Sequence, residues 1–210
     1  MPNVSTCPFV PDPIVLDAFF ADDRSDLAAL YLAVHHDSLR RHLGGPAPAP
    51  ARLDGACVVL ARGPGGRALG GIRVHLRRPG APLPVELALG DRCPIAAAVA
   101  RAPAPLVEAC GTWIGAEQRG GGLAAELSLA SVAVARALGA RRIVGCAHQH
   151  AIELYRRFGA VADPELGVHP YPDARYATRV FWADPWTCPE GQSTLDALVD
   201  RLRRGLARAA

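Results

Sequence analysis

A chain of 210 residues, with half of them apolar and a fifth charged, has the size and balance of one globular domain with extensions rather than of a disordered chain. A formal net charge of +3 with scattered arginines leaves no electrostatic footprint for nucleic acid. All 23 basic residues are arginine, which excludes a Schiff-base lysine and a P-loop lysine; with 21 Gly and 19 Pro, this bias reads most simply as a GC-rich bacterial genome.

Ile14 to Phe20 reads as an edge strand. Asp22, Asp23, Ser25 and Asp26 supply helix-start chemistry ahead of Leu27, Leu30, Tyr31, Val34 and Leu39, which recur at helical spacing until Gly44 and Gly45. Pro46 to Pro50 is a Pro/Ala loop. Two apolar runs, Ala56 to Ala61 and Ala68 to Leu76, flank Arg62-Gly63-Pro64-Gly65-Gly66-Arg67, a hairpin signature. Val85 to Leu89 reads as another short strand, and Asp91 to Ala102 as a helix with Pro94 in its first turn.

Leu106 to Ile114 reads as a buried strand, and Leu123 to Leu138 as an amphipathic helix ended by Gly139. Arg141 to Ala147 is a second buried strand, and Ala151 to Phe158 a short helix closed by Gly159. A loop rich in proline and aromatic residues, His169 to Asp173, precedes a final alternating strand, Tyr176 to Trp182. The last helix starts at Ser193 or Thr194, with Leu195, Leu198, Val199, Leu202 and Leu206 on one face and Arg201, Arg203, Arg204 and Arg208 solvated. The order of elements predicts an α+β (mixed α/β) fold. Its domain covers 14–186, between an N-terminal extension, 1–13, and a C-terminal amphipathic helix within 187–210.

The six cysteines (7, 57, 93, 110, 146 and 188) form no Cys-x-x-Cys pair, and Cys57, Cys110 and Cys146 lie inside apolar runs. This usage reads as buried free thiols in a reducing cytoplasm, with no metal site. The first residues carry no basic region of a signal peptide, and Arg136 interrupts the best candidate membrane span.

The chemistry centres on Arg119-Gly120-Gly121-Gly122-Leu123-Ala124, a glycine-rich turn between a strand and a helix. Free backbone N–H groups at a positive helix end make an anion site. The turn lacks the Gly-Lys-Ser/Thr of a P-loop. It fits a dinucleotide fingerprint poorly, because position 125 is Ala and the next strand, Ile143-Val144-Gly145-Cys146, holds no acid.

Thr112 to Ala124 resembles the acyl-CoA motif of the GCN5-related N-acetyltransferase (GNAT) superfamily. The pattern Arg/Gln-x-x-Gly-x-Gly/Ala falls on Arg119, Gly122 and Ala124, and the preceding hydrophobic strand residue is Ile114. The family's next segment, Asn-x-x-Ala-x-x-Leu-Tyr followed by Gly-Phe, is similar to His148 to Ala160, with His148 in place of the Asn and Ala160 in place of the Phe. The resemblance implies a central, mostly antiparallel sheet flanked by helices. It also implies acyl-CoA as co-substrate, held by Ile114, Arg119, Gly120, Gly121, Gly122, Leu123, Ala124 and His148, with no metal. Direct transfer, most simply of acetyl from acetyl-CoA to a small-molecule amine, follows from it. A backbone N–H near Ile114 would polarise the thioester carbonyl, and Tyr155 would protonate the leaving thiolate.

Glu108 is the candidate base; strand alternation places it on the face of Ile114, and the alternative is an ion pair with an arginine. Glu86 is a second candidate on the acceptor side, and His148 and His150 are others. Glu108-x-x-Gly111-x-x-Ile114 is also similar to the Glu-x-x-Arg-x-x-Val pattern of the autoinducer synthase and N-acyl amino acid synthase branch, without its Arg. In the loop before the last strand, Arg175 and Tyr176 are candidates over the acceptor pocket, Arg175 for a carboxylate. A longer acyl donor and a non-catalytic CoA-binding module remain alternatives, and a homodimer is the candidate assembly.

Overall fold

Cys57-Val58-Val59-Leu60 is apolar at every position because its strand is covered on both faces. The computed structural model describes residues 14–44, 52–189 and 192–207. The extension 1–13, Gly45, the stretch 46–50 and Arg208 lie outside the described residues, as do the side chains of His150, Arg201, Arg204 and Leu206.

Among the described residues, eight strands form one sheet: β1 Val15–Phe20, β2 Ala56–Arg62, β3 Ala68–Leu76, β4 Leu106–Ile114, β5 Arg142–His148, β6 Val161–Ala162, β7 Val168–His169 and β8 Thr178–Ala183. The order is β1-β2-β3-β4-β5-β8-β6, with β7 also paired to β8, and every pairing is antiparallel except β4 with β5. That one parallel pair is short. It joins Leu106–Glu108 to Arg142–Val144, after which the two strands run on to Ile114 and His148 without pairing. The sheet therefore opens as a wedge at its centre.

Among the described residues, six helices flank the sheet: α1 Ser25–Leu43, α2 Pro84–Leu89, α3 Ile95–Arg101, α4 Leu123–Ala137, α5 Ile152–Arg156 and α6 Gln192–Ala207. On one face, Cys57, Val59, Ile72 and Val107 pack with Leu123, Leu127, Ala130 and Val134 of α4 and with Leu195, Val199 and Leu202 of α6. The α4 residues recur at 4-3-4 spacing, the stripe a helix presents to a sheet. On the other face, Val58, Leu60 and Trp113 pack with Leu27 and Tyr31 of α1, while α2 and α3 cover Leu106, Val144 and Val180. None of the helices among the described residues is long and apolar enough to cross a membrane.

The expected strand Val85 to Leu89 is instead the helix α2. Val85, Leu87 and Leu89 alternate, but Val85 and Leu89 also stand four apart. They are buried together while Leu87 is 73% exposed. Pro84 sits in the first turn, and Glu86 Oε2 accepts a hydrogen bond from the Leu83 N–H at 2.8 Å, which clasps the helix start. In α3, Pro94 is the residue before the helix rather than part of its first turn.

Candidate active site

β4 carries the geometry on which the site depends. Arg73 pairs with Cys110 and Gly71 with Trp113, so Gly111 and Thr112 together stand opposite Ile72 alone. This is a β-bulge, and Gly111 takes φ +66°, a conformation that costs a residue with a side chain. Its carbonyl accepts a 2.6 Å hydrogen bond from the buried Tyr31 hydroxyl. The extra residue inverts the alternation beyond it. Ile114 therefore packs on the α4 side, whereas Glu108 faces the cavity below α1 and α2. The expectation that the two share a face is corrected by the bulge.

The glycine-rich turn lies where β4 leads into α4. Ala116–Gln118 forms a single tight turn, and Gly122 takes φ 85° as the residue before the helix. No side chain caps α4 among the described residues, so the first helical N–H groups face outward at the positive end of the helix dipole. Arg119, Gly120, Gly121 and Gly122 are exposed around it, Leu123 is buried as an anchor, and Ala124 lines the cavity.

That cavity, of about 440 Å³, runs through the wedge between β4 and β5. At its α4 end lie Ala124, Leu154 and Tyr155; at its α1 and α2 end lie His35, Arg73, Val85 and Glu108. Tyr155 stacks on Phe181 with centroids 4.8 Å apart, and its hydroxyl lies near Thr112 across the wedge. Burial raises its pKa, which the Thr112 contact only partly offsets, so the phenol stays protonated at neutral pH.

Glu108 is 1% exposed, and its Oε2 accepts the Val85 N–H of α2 at 2.8 Å. Burial pushes its pKa up to about 7 against the opposing effect of that hydrogen bond, leaving a carboxyl poised to exchange a proton near neutrality.

His148 also lines the cavity, its Nδ1 2.9 Å from Thr178 Oγ1. The Thr178 hydroxyl donates to Tyr171 O at 2.6 Å, so its only proton is used and Nδ1 of His148 must be the donor. His148 stacks on Tyr176, with centroids 4.4 Å apart, and His42 of α1 lies against the same ring at 5.4 Å.

Glu86, Arg175 and Tyr176 are not brought into the cavity wall. Glu86 clasps α2, and Arg175 is held by both carboxylate oxygens of Asp173, at 3.0 and 2.7 Å, and by Leu43 O at 2.7 Å. Sequence reasoning missed Arg73 and the face of α1 carrying His35, Leu39 and His42. The available signals were a lone arginine inside the apolar run Leu69 to Val74, and polar residues at helical spacing where a core stripe would be apolar.

A family model described as acetyltransferase (GNAT) family matches residues 46–160. Uncharacterised proteins of Mycobacterium tuberculosis and Mycobacterium bovis are each 34% identical over 85 residues, 40% of this chain. The match spans 32% of the length of these curated relatives. Among solved structures, the CoA-dependent acyl-homoserine lactone synthase BjaI, with SAM and isopentyl-CoA, superimposes with a TM-score of 0.61 at 21% identity over 94% of this chain and 99% of that one. FeeM, an N-acyl amino acid synthase from uncultured soil microbes, gives 0.57 at 14% identity over 84% and 93%. Escherichia coli ElaA gives 0.60 at 12% over 82% and 100%. At these identities the likeness to solved structures shows the fold.

Proposed function

The chain belongs to the acetyltransferase (GNAT) family, and on that premise we propose that it transfers an acyl group, most simply acetyl, from acyl-CoA to the primary amine of a small molecule. One observation carries this reading: a single cavity joins an uncapped helix start and a partly buried tyrosine on one side of the wedge to a buried carboxyl on the other.

The pyrophosphate of the donor sits at the start of α4, where N–H groups and the helix dipole favour negative charge. The unpaired edge of β4 beyond Glu108 offers backbone N–H groups to the thioester carbonyl. Glu108, in its ionised fraction, takes a proton from the ammonium of the acceptor. The freed lone pair attacks the carbonyl carbon, an N–C bond forms, and the C–S bond breaks. Tyr155 gives its proton to the departing thiolate, and the surplus proton of the new amide nitrogen restores the phenol. Leu32, Leu39, Leu43 and Ala88, which also line the cavity, support a second reading in which the donor carries a longer acyl chain.

Thiol release from acetyl-, butyryl- and octanoyl-CoA across an amine panel tests both readings. We expect Tyr155→Phe to lower kcat by roughly 100-fold or more while KM for the acyl-CoA stays within about threefold. A variant with wild-type kcat overturns the role of Tyr155. Absence of thiol release with every donor and amine overturns the acyltransferase reading.

A further inference from the structure

Arg73 is a buried cation with no ion-pair contact among the described residues, and Glu108 acts on it only at longer range. It stands in β3 at 6% exposure, facing α1, and its guanidinium cannot shed its proton. Nε donates to Cys110 Sγ, a weak acceptor, at 3.3 Å, and the Tyr31 hydroxyl lies beside the group. Nη1 is buried with no hydrogen-bond partner, and no salt bridge holds the guanidinium among the described residues, the charge of Glu108 reaching it only at longer range. A buried charge in this state is costly unless something pairs it.

Arg73 lines the cavity, and it is the only arginine among the described residues that do so. The exposed Arg175, the arginine that the sequence offered for a carboxylate, is already matched by Asp173. The position of Arg73 decides which substrate would supply its partner. It lies on the α1 face of the sheet, with Glu108, whereas Ala124 and Tyr155 of the donor half are at the α4 end.

Building on the acyltransferase reading, we infer that the acceptor is an amine that also carries a carboxylate, and that Arg73 binds this carboxylate and so determines specificity. Arg73 pairs with Cys110, and Glu108 lies two residues before Cys110 on the same face. Diagonal positions of this kind are roughly 7–8 Å apart between Cα atoms, so a small amino acid reaches both side chains at once. Its carboxylate neutralises Arg73 while its ammonium meets Glu108. The planar guanidinium fork suits a carboxylate, and the apolar residues around it take the side chain of the acceptor.

The test is thiol release with matched acceptors: each of several apolar and aromatic amino acids, its carboxamide, and the corresponding amine without the carboxylate. The wild type should prefer the acids over both neutral series. Arg73→Gln should raise KM for the acids by roughly 10- to 100-fold more than for the neutral amines, and Arg73→Lys should recover part of that loss. Any change in kcat that follows from the altered proton equilibrium of Glu108 should fall equally on acids and neutral amines.

A second arm replaces butyryl-CoA by succinyl-CoA. A preference for the succinyl donor that Arg73→Gln abolishes would place the carboxylate on the acyl group and overturn the assignment to the acceptor. Equal rates for acids, amides and amines in the wild type also overturn it while leaving the acyltransferase reading intact. No release with any amine removes that reading and this inference with it. If Arg73→Gln does not fold, the wild-type preference among matched acceptors decides the matter alone.

Discussion

Glu108 has a proton equilibrium that the fold has moved, and the move has two separate readouts. Its pKa, raised to about 7 by burial, should give kcat/KM an acidic limb near neutral pH, with activity rising as the carboxyl ionises. Glu108→Gln should flatten that limb and lower the plateau by roughly 100-fold; an unchanged profile would remove Glu108 from proton transfer. The second readout is stability. The folded protein holds the proton from the unfolded value of about 4.5 up to about 7, so it binds more protons than the unfolded chain in that window. The contribution is present below about pH 4.5 and lost as pH rises through about 7. At ~1.4 kcal/mol per unit, it amounts to about 3 kcal/mol. Urea unfolding of wild type and Glu108→Gln at pH 5 and pH 8 should show the wild type losing stability across the window and the variant losing less.

At the scale of elements, Gly111 joins two functions that a straight strand could not combine. Its positive φ makes the bulge, and the bulge lets one strand present Glu108 to the cavity below α1 and α2 and Ile114 to the α4 side. A Cβ at Gly111 would lie 2.6 Å from the Tyr31 hydroxyl oxygen, whereas one at Gly122 (φ 85°) would meet nothing within 4 Å. Gly122→Ala should therefore cost only the backbone penalty of about 1 kcal/mol, and Gly111→Ala should cost that and the displacement of Tyr31, about 3 kcal/mol or more. Equal losses in denaturant midpoint would show that Tyr31 yields freely.

The same strand shows how far the sequence could be read. The apolar runs of β2 to β5 and the stripe of α4 were legible because burial dictates residue type at every or every third to fourth position. The bulge was not, because a lone glycine in a strand does not say which way the register shifts. α2 was missed because its six residues alternate like a strand and are helical through Pro84, Glu86 and the distant Glu108. The Arg119–Ala124 turn and the Tyr155 segment were legible as local patterns. Arg73 acquires its meaning only when three strands and α1 come together.

At the scale of the molecule, the start of α4, where we propose that the donor's pyrophosphate binds, must be held in place from behind, and α6 does this. Leu195, Val199 and Leu202 of α6 are buried in the core that α4 shares. Arg136, near the other end of α4, locks the contact. Its Nε donates to Pro185 O at 2.6 Å, Nη1 to Asp196 at 3.0 Å and Nη2 to Gln192 at 3.1 Å, while the guanidinium lies over the Trp186 ring at 5.4 Å. The side chain of Arg136 is 4% exposed and that of Asp196 is 61% exposed, so the two partners are not equivalent. Asp196→Asn leaves most of these bonds in place and should cost less than about 1 kcal/mol. Arg136→Met removes three bonds together and leaves the Pro185 carbonyl without its donor, a loss of about 2–4 kcal/mol. Because the lost contacts all tie α6 and its approach to α4, the loss should fall first on local opening. Amides of 192–207 should exchange faster in Arg136→Met, while those of β2 and β3 change only as far as global stability falls. Uniform acceleration through every element would show instead that α6 is part of one cooperative unit and that Arg136 supports the whole sheet.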